Sequence, residues 1–253
     1  MQLQNFIKVY LGLFLLLIGT SAFAQNMKPE ETEVWEPVPS IVTPGENNAP
    51  PSDAIVLFNG KDLSQWRSAK KETQGQAAPW TLEKGEMVVK PATGDIETVK
   101  TFGSIQLHIE WLAPVDKGKE SQQYSNSGIF LMGLYELQVL NSYENKTYSN
   151  GQAGSLYKQH IPLVNASKKP GTWQEYDVIF TAPVFESNGE LKSPARITVL
   201  HNGVLIQNNV ELKGPTLYIG HPKYEAHPAK LPLKLQDHGN LVRFRNIWVR
   251  ELN

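Results

Sequence analysis

Four pairs of polar residues, each spaced two apart, carry the groups in this sequence most suited to catalysis. They are His108 with Glu110, Glu136 with Gln138, Gln236 with His238, and Arg243 with Arg245. A spacing of two places both members of a pair on the same face of a β-strand. The pairs hold carboxylates, imidazoles and guanidiniums but no lysine, so we expect them to converge on the concave face of one sheet. The alternative is that they are ordinary solvent-facing positions.

The same pairs include candidate metal ligands. His108 and Glu110 are close enough on one strand to bind a single ion, with His238 or Glu136 as a third ligand. Catalytic histidines, or histidines with hydrogen-bond partners inside the protein, are the alternative. The sequence requires no cofactor, and a divalent metal ion is the candidate that these residue types leave open.

Aromatic residues are a second group of candidate functional residues, because their flat faces can stack on sugar rings. Trp66 and Tyr143 are flanked by turn residues and are candidate platforms of this kind. Trp111 and Trp248 lie within strand-like segments, so we expect them in the core.

The chain lacks the short motifs of several other enzyme classes. It has no G-x-S-x-G motif, no H-E-x-x-H motif and no phosphate-cradling glycine loop. Serine hydrolase and zinc protease functions therefore have no support in the sequence.

The polar pairs lie in segments where apolar and polar residues alternate strictly, which predicts half-buried β-strands rather than helices. In residues 104–111, one face carries Ile105, Leu107, Ile109 and Trp111. In residues 135–140, Tyr135, Leu137 and Val139 share a face, opposite Glu136 and Gln138. The short apolar run 128–133 before it suggests a hairpin.

Two further strand features lie nearer the C-terminus. Asn202-Gly203 separates two apolar runs, and this pair of residues favours a type I′ hairpin turn. Alternation in residues 240–251 breaks near Asn246, which predicts a β-bulge there.

Many short strands, frequent Gly and Pro, and no convincing amphipathic helix predict an all-β fold. We expect two antiparallel sheets packed face to face in a concanavalin A-like jelly-roll sandwich. Periodicity alone does not give the order of the strands.

The N-terminus predicts export from the cytoplasm. Lys8 precedes the apolar run 9–18, and Ala22-Phe23-Ala24 supplies small residues for signal peptidase. This run is about half of the roughly 20 residues that span a membrane, so residues 1–24 are predicted to be a signal peptide. We expect residues 25–52 to form a Pro-rich linker or arm, and residues 53–253 one domain in a soluble periplasmic or secreted protein, with no integral membrane segment after cleavage.

The net charge and the cysteine content of the chain argue against one class of partner and several kinds of site. The formal net charge is −1 and no basic run follows the leader, so nucleic acid is not an expected partner. The chain has no cysteine, which excludes disulfides, a thiol nucleophile and thiolate metal ligands.

Four ordered motifs resemble the 3-keto-disaccharide hydrolase family, long catalogued as a domain of unknown function. They are residues 57–66 (LFNGKDLSQW), 126–129 (NSGI), 135–139 (YELQV), and 235–239 (LQDHG) continuing to 244–247 (FRNI). The resemblance runs from about residue 53 to the C-terminus and implies a concanavalin-like fold. It also implies cleavage of 3-keto-glycosides, by hydrolysis or by paired lyase and hydratase activities, with an oligosaccharide or glycoside as substrate.

Sandwich glycosidases of the laminarinase type offer a contrast, because one of their strands carries the pattern Glu-x-Asp-x-x-Glu. The matching positions here are Glu136, Gln138 and Asn141. Retaining hydrolysis needs two carboxyl groups about 5 Å apart. With one carboxylate on this strand, ordinary retaining chemistry is disfavoured, whereas elimination from a 3-keto sugar needs a single base.

For that elimination, the candidate base is Glu136 or His238. Arg245 or a bound metal is the candidate stabiliser of the enolate, and Glu110 or His108 the candidate acid. Gln138, Gln236 and Asn126 complete the expected substrate-binding residues, with Trp66 and Tyr143.

Two alternatives from other classes remain open at this point. A non-catalytic carbohydrate-binding module would use the same groove and aromatic residues, but would not need several titratable groups around one bond. A structural or adhesion domain would leave the polar residues scattered. Convergence of Glu136, His238 and Arg245, with at least one strongly shifted pKa, would favour the enzyme.

Overall fold

A computed structural model describes residues 28–252. The predicted signal peptide lies outside the described residues. Residues 28–41, which include a 3₁₀ helix at Pro29–Thr32, belong to a compact unit separate from the one that begins at Val42. No helix within 28–252 has the length and apolarity needed to cross a membrane.

From Val42 onward the regular secondary structure of the described chain is almost entirely β-strand, as the alternating sequence predicts. The strands are β1 (Ile55–Phe58), β2 (Trp66–Ser68), β3 (Thr81–Glu83), β4 (Glu86–Val88), β5 (Ile96–Phe102), β6 (Ile105–Leu112), β7 (Ser127–Leu131), β8 (Tyr135–Val139), β9 (Trp173–Thr181), β10 (Val184–Phe185), β11 (Leu191–Ser193), β12 (Arg196–His201), β13 (Val204–Glu211), β14 (Leu231–Leu235) and β15 (Arg243–Glu251). Short 3₁₀ helices occupy Lys71–Thr73, Ser121–Gln123 and Ser149–Gly151.

Two antiparallel sheets form a concanavalin-like jelly-roll sandwich. The larger has eight strands in the order β13-β12-β9-β6-β15-β4-β3, with β1 also paired to β15. The smaller has five strands in the order β2-β5-β14-β7-β8. A two-stranded ribbon of β10 and β11 stands apart from both. Strands β6 and β15 therefore belong to one sheet, and β8 and β14 to the other.

The core lies between the inner faces of the two sheets. From β6 it takes Ile105, Leu107, Ile109 and Trp111, and from β8 it takes Tyr135, Leu137 and Val139, all almost fully buried. Because side chains alternate along a strand, the residues between these positions point to the outer face of their own sheet. The outer faces of the two sheets of a sandwich lie on opposite sides of the domain.

The turn and bulge predicted from the sequence are both present. Asn202 and Gly203 join β12 to β13 with positive φ angles of 53° and 78°. In β15, the register with β6 shifts between Arg245 and Trp248, and Asn246 has a φ of 45°. Asn tolerates this left-handed conformation better than most residues with a Cβ.

Candidate active site

A polar groove of about 420 Å³ lies on the outer face of the five-stranded sheet. Its walls come from β7, β8, the end of β14 and the loops around them. The lining residues are Gln122, Gln123, Asn126, Phe130, Glu136, Gln138, Tyr148, Tyr157, Thr216, Tyr218, Gln236 and His238. The groove therefore brings together Glu136, Gln138, Asn126, Gln236 and His238 of the residues expected from the sequence.

Glu136 projects into this groove from the second residue of β8 and is 6% exposed. Within residues 28–252 its carboxyl group has no protein hydrogen-bond partner, while its backbone N–H donates to Thr216 Oγ1 at 2.9 Å. Burial raises the pKa of Glu136 to about 8; the positive charge of Lys234 opposes this shift and the negative charge of Asp95 adds to it. A carboxyl group with a raised pKa and a free hydrogen-bonding capacity is suited to transfer protons at neutral pH.

Gly128 makes room for this carboxyl group. It lies on β7 opposite Gln138, with Phe130 opposite Glu136. A Cβ atom at Gly128 would lie 2.6 Å from Glu136 Oε1 and 2.8 Å from Phe130 Cε2, both closer than atoms pack. The NSGI motif therefore needs glycine at this position because a neighbouring side chain fills the space.

Gln138 and Asn126 form a connected part of the groove floor. Gln138 Nε2 donates to Asn126 Oδ1 at 2.9 Å, and Asn126 Nδ2 donates to the carbonyl oxygen of Gln122 at 2.8 Å. The backbone N–H of Asn126 donates in turn to Asn240 Oδ1 at 2.9 Å. These buried bonds hold both side chains in fixed positions beside Glu136.

Gln236 and His238 enter the groove from the chain that follows β14. The backbone N–H of Gln236 donates to the carbonyl oxygen of Gly128 at 3.0 Å, and its buried Oε1 has no hydrogen-bond partner within residues 28–252. Between the two, Asp237 accepts hydrogen bonds from Gly94 N at 2.9 Å and Gly239 N at 3.0 Å. Asp237 thereby fixes the turn that presents His238, and Gln236 offers an acceptor suited to a sugar hydroxyl.

A second polar cluster lies on the outer face of the eight-stranded sheet. Arg245 Nε donates to Glu110 Oε2 at 2.6 Å, and His108 Nδ1 lies 2.7 Å from Asp177 Oδ1. Because β6 and β15 belong to the other sheet, Glu110, His108 and Arg245 are on the side of the sandwich opposite Glu136. The prediction that all four pairs converge on one groove is wrong.

Charge pairing stabilises the ionised forms of this second cluster. Burial alone would lower the pKa of His108, but the hydrogen bond with Asp177 and the negative charge of Glu110, 3.7 Å from Nε2, outweigh it and raise the pKa to about 9. Burial would likewise raise the pKa of Glu110, but the nearby charge of His108 and the hydrogen bonds from Asn246 and Arg245 hold the pKa at about 2. The cluster is therefore an ion-pair network at neutral pH. Arg243 lies on the same sheet and pairs with Glu86 and Glu83.

The bulge in β15 explains why Trp248 joins this cluster. One extra residue reverses the facing of every side chain beyond it, so Ile247 and Val249 enter the core and Trp248 points outward. Its ring stacks on His108 with centroids 5.3 Å apart. Trp248 is buried, but on the outer face of its sheet rather than in the core between the sheets, whereas Trp111 is in the core as predicted.

Comparison with known protein families identifies the family of this chain. The sequence profile of the 3-keto-alpha-glucoside-1,2-lyase-like domain matches residues 53–250, most of the chain. The protein belongs to this family. A search of curated proteins gave no match.

Solved structures support the same assignment. A Parabacteroides distasonis protein provisionally assigned as a glycosyl hydrolase is 47% identical, with a TM-score of 0.85, over 90% of this chain and 98% of that one. A second protein of the same species and description is 20% identical, with a TM-score of 0.56, over 79% of this chain and 94% of that one, and it supports the fold alone. The family resemblance and sandwich fold predicted from the sequence are therefore confirmed, and the chain is a carbohydrate-active domain.

Neither of the two predicted aromatic platforms lines the groove. Trp66 is 2% exposed and packs in the core, where its Nε1 donates to the carbonyl oxygen of Leu57 at 2.8 Å. Tyr143 does not line the groove, and its ring lies 5.9 Å from Lys169 Nζ. Flanking turn residues gave a misleading signal for Trp66, because β2 begins at this residue and buries it.

The groove's aromatic residues are instead Phe130, Tyr148, Tyr157 and Tyr218. The alternation of β7 carried a signal for Phe130, which shares its outer face with Gly128. Tyr148 and Tyr157 come from the connection between β8 and β9, and Tyr218 from the connection between β13 and β14; no periodicity could assign these loops to one site.

No group of three or more side chains suited to hold a metal ion occurs between residues 28 and 252. The metal requirement stays a prediction, and assays with and without EDTA would test it.

Proposed function

We propose that this protein cleaves the glycosidic bond of 3-keto-glycosides in the groove on the five-stranded sheet. The reaction removes the C2 proton, eliminates the leaving group and then adds water, giving net hydrolysis. The observation that carries the proposal is Glu136, the one carboxylate among the described groove residues, with a pKa raised to about 8.

A single carboxylate suits elimination better than ordinary glycoside hydrolysis. Retaining and inverting glycosidases both use two carboxyl groups across the bond. Asp95 acts on Glu136 through its charge but does not line the groove, and its carboxylate accepts from Asp237 N at 2.9 Å and lies 3.4 Å from Lys234 Nζ. These contacts commit Asp95 to the surrounding structure.

In the first step, the C3 ketone acidifies the C2 proton and Glu136 takes it as general base. The electron pair left at C2 forms an enolate with the C3 oxygen, then a C1–C2 double bond as the C1–O bond breaks. His238, which lines the same groove, gives the leaving oxygen a proton. Lys234 does not line the groove; its Nζ lies 4.3 Å from the centroid of the Phe130 ring, and its positive charge acts on Glu136 from there.

Addition of water completes the reaction. The hydroxyl adds at C1 of the enone and a proton returns to C2, so a 3-keto sugar is released. The free Oε1 of Gln236 and the fixed amides of Gln138 and Asn126 supply hydrogen-bond partners for sugar hydroxyls. Glu110, His108 and Arg245, first expected to act as acid and enolate stabiliser, have no part in this mechanism.

Isotope exchange tests the bond-breaking step. We expect a 3-keto-glucoside deuterated at C2 to lose its label to water during cleavage, with a primary isotope effect where proton removal limits the rate. The same glycoside without the ketone should be inert, because its C2 proton is far too weakly acidic for a side-chain base.

Full retention of the label in the released 3-keto sugar, under conditions without spontaneous exchange, would exclude elimination and favour attack at C1. Cleavage of the unoxidised glycoside would reject the 3-keto requirement itself. Binding without turnover of either compound would favour the carbohydrate-binding module.

We also infer that the protein is exported to the periplasm or beyond, since residues 1–24 have the pattern of a signal peptide. Cleavage after Ala24 should leave Gln25 as the first residue of the mature protein. N-terminal sequencing of the protein from the periplasmic or secreted fraction tests this. A mature chain that still begins before residue 18 would contradict it.

A further inference from the structure

A second cavity, of about 530 Å³, adjoins the groove and shares Tyr148 and Tyr218 with it. Its other lining residues are Asn150, Lys158, Ile219, Gly220 and His221. The two tyrosines therefore border both spaces, and a ligand long enough to pass them would reach from Glu136 to the second cavity.

The tyrosine rings at this junction are held in place by specific contacts. The hydroxyl groups of Tyr148 and Tyr157 are 2.7 Å apart and share a hydrogen bond. Lys158 Nζ donates to the carbonyl oxygen of Tyr218 at 2.6 Å and lies 4.1 Å from the centroid of its ring. The same ammonium group is 5.5 Å from the Tyr157 ring and 5.9 Å from the Tyr148 ring.

Lys158 occupies its central position at a conformational cost. Its φ angle is 59°, a left-handed conformation that residues with a Cβ rarely adopt, and its backbone N–H donates to the carbonyl oxygen of Asn150 at 2.8 Å. Tyr218, next to it, remains 71% exposed. A strained residue that orders exposed aromatic rings at the end of a groove is typical of a binding surface rather than of core packing.

We propose that this aromatic shelf, made of Tyr148, Tyr157, Lys158 and Tyr218, binds the leaving group of the glycoside. The inference rests on the proposed function and adds the class of substrate. The C–H face of a pyranose and the face of an aromatic aglycone are both flat and apolar, and either can stack on an exposed tyrosine ring. Substrates with such a ring as leaving group should be preferred over methyl glycosides, which do not reach the shelf.

Kinetics of two Tyr218 variants test the shelf with three 3-keto-glucosides, whose leaving groups are glucose, a phenol and methanol. Stacked aromatic contacts contribute enough to change affinity roughly 3- to 10-fold. We expect Y218A to lower kcat/KM by about this factor for the first two substrates and by less than about 2-fold for the methyl glycoside. Y218F keeps the ring and should behave like the wild type with all three.

Equal effects of Y218A on all three substrates, or no effect on any, would overturn the shelf. A loss confined to the disaccharide, or to the phenyl glycoside, would identify which ring the shelf binds. If the wild type cleaves none of them, the proposed reaction fails. Saturation-transfer NMR with the unoxidised compounds then tests the shelf separately, because Y218A but not Y218F should weaken the signal of the two ring-bearing ligands. Equal signals from both variants, or none from the wild type, would reject it.

Discussion

Glu136 lies in surroundings that oppose its ionisation, although it is on the outer face of a sheet. It has neither a salt-bridge partner nor a hydrogen bond to its carboxyl group within residues 28–252. Burying a carboxylate without partners is costly, so the protonated form is favoured and the pKa rises. A base with a raised pKa removes a carbon-bound proton more readily than an ordinary carboxylate, once it is ionised.

The first prediction concerns the pH dependence that follows from this pKa. As the base, Glu136 must be deprotonated in the free protein, so kcat/KM should increase as the pH rises through about 8 when the leaving group is a nitrophenolate, which needs no proton from His238. Initial rates with a 3-keto-glucoside between pH 6 and 10 measure this. A kcat/KM that falls over the same range would instead make Glu136 the proton donor.

The second prediction concerns the substitution Glu136→Gln, which keeps the size of the side chain but removes the base. We expect activity to fall by at least about 100-fold, while the free energy of unfolding at pH 7 falls by no more than about 1 kcal/mol. Because the pKa of Glu136 is raised, the wild type loses stability as the pH rises from the ordinary pKa of 4.5 toward 8. The variant has no such group, so it should be no less stable than the wild type at pH 9. Early melting or normal turnover would contradict the assigned role.

At the scale of elements, the β7–β8 hairpin determines the geometry of the groove. Cross-strand register places Gly128 beside Gln138 and Phe130 beside Glu136, so a small residue and a large one alternate along the outer face of β7. The backbone approaches the carboxyl group where the small residue lies. A slip of one residue would turn all of these side chains into the core, and the core-facing Tyr135, Leu137 and Val139 oppose such a slip.

The third prediction tests this packing with Gly128→Ala. The new Cβ atom, 2.6 Å from Glu136 Oε1, should displace the carboxyl group and lower kcat at least about 10-fold. Gly128 does not have a positive φ angle and the clash is with side-chain ends, so the Tm should change little. Wild-type kinetics in this variant would show that the position of Glu136 is not constrained by β7.

At the scale of the whole molecule, the sandwich separates two polar clusters that look alike in sequence. On the five-stranded sheet, Glu136 has no ionic partner among residues 28–252 and lies inside a groove. On the eight-stranded sheet, Glu110 is paired with Arg245 and His108, and Asn48 covers the cluster by accepting from Asn246 Nδ2 at 2.9 Å. The first arrangement is suited to chemistry, and the second stabilises the sheet.

The fourth prediction uses Glu110→Gln as a matched control for Glu136→Gln. Removing one partner from this network should lower the free energy of unfolding by about 2 kcal/mol; the loss is no larger because Arg245 is partly exposed. Activity should stay within about 2-fold of wild type. Denaturation and turnover measured on the same preparations provide the comparison. Loss of activity in a folded Glu110→Gln protein would return the catalytic role to the eight-stranded sheet.

The network's contribution should depend on pH in both directions. The lowered pKa of Glu110 adds stability above its ordinary value of 4.5, and this is lost as the pH falls toward 2. The raised pKa of His108 adds stability below 6.5, and this is lost as the pH rises through about 9. The destabilisation caused by Glu110→Gln should therefore be largest between about pH 4.5 and 6.5.

The sequence by itself predicted several of the strands, β6 and β8 among them, and the side of these two strands that faces the core. Period-two alternation placed Ile105 and Leu137 inside and Glu110 and Glu136 outside. The turn at Asn202 was predicted equally well, because both features depend on neighbours along the chain. The family motifs likewise identified the domain before any coordinates.

Only the tertiary structure decided which outward-facing residues share a surface. Alternation gives a residue's face relative to the core but not the sheet that its strand joins, which depends on pairing between distant segments. Glu110 and Glu136 therefore looked equivalent until β6 and β8 were placed in different sheets. Tyr148 and Tyr218 reached the groove from separate loops, whose meeting depends on the folded chain and leaves no periodic trace in the sequence.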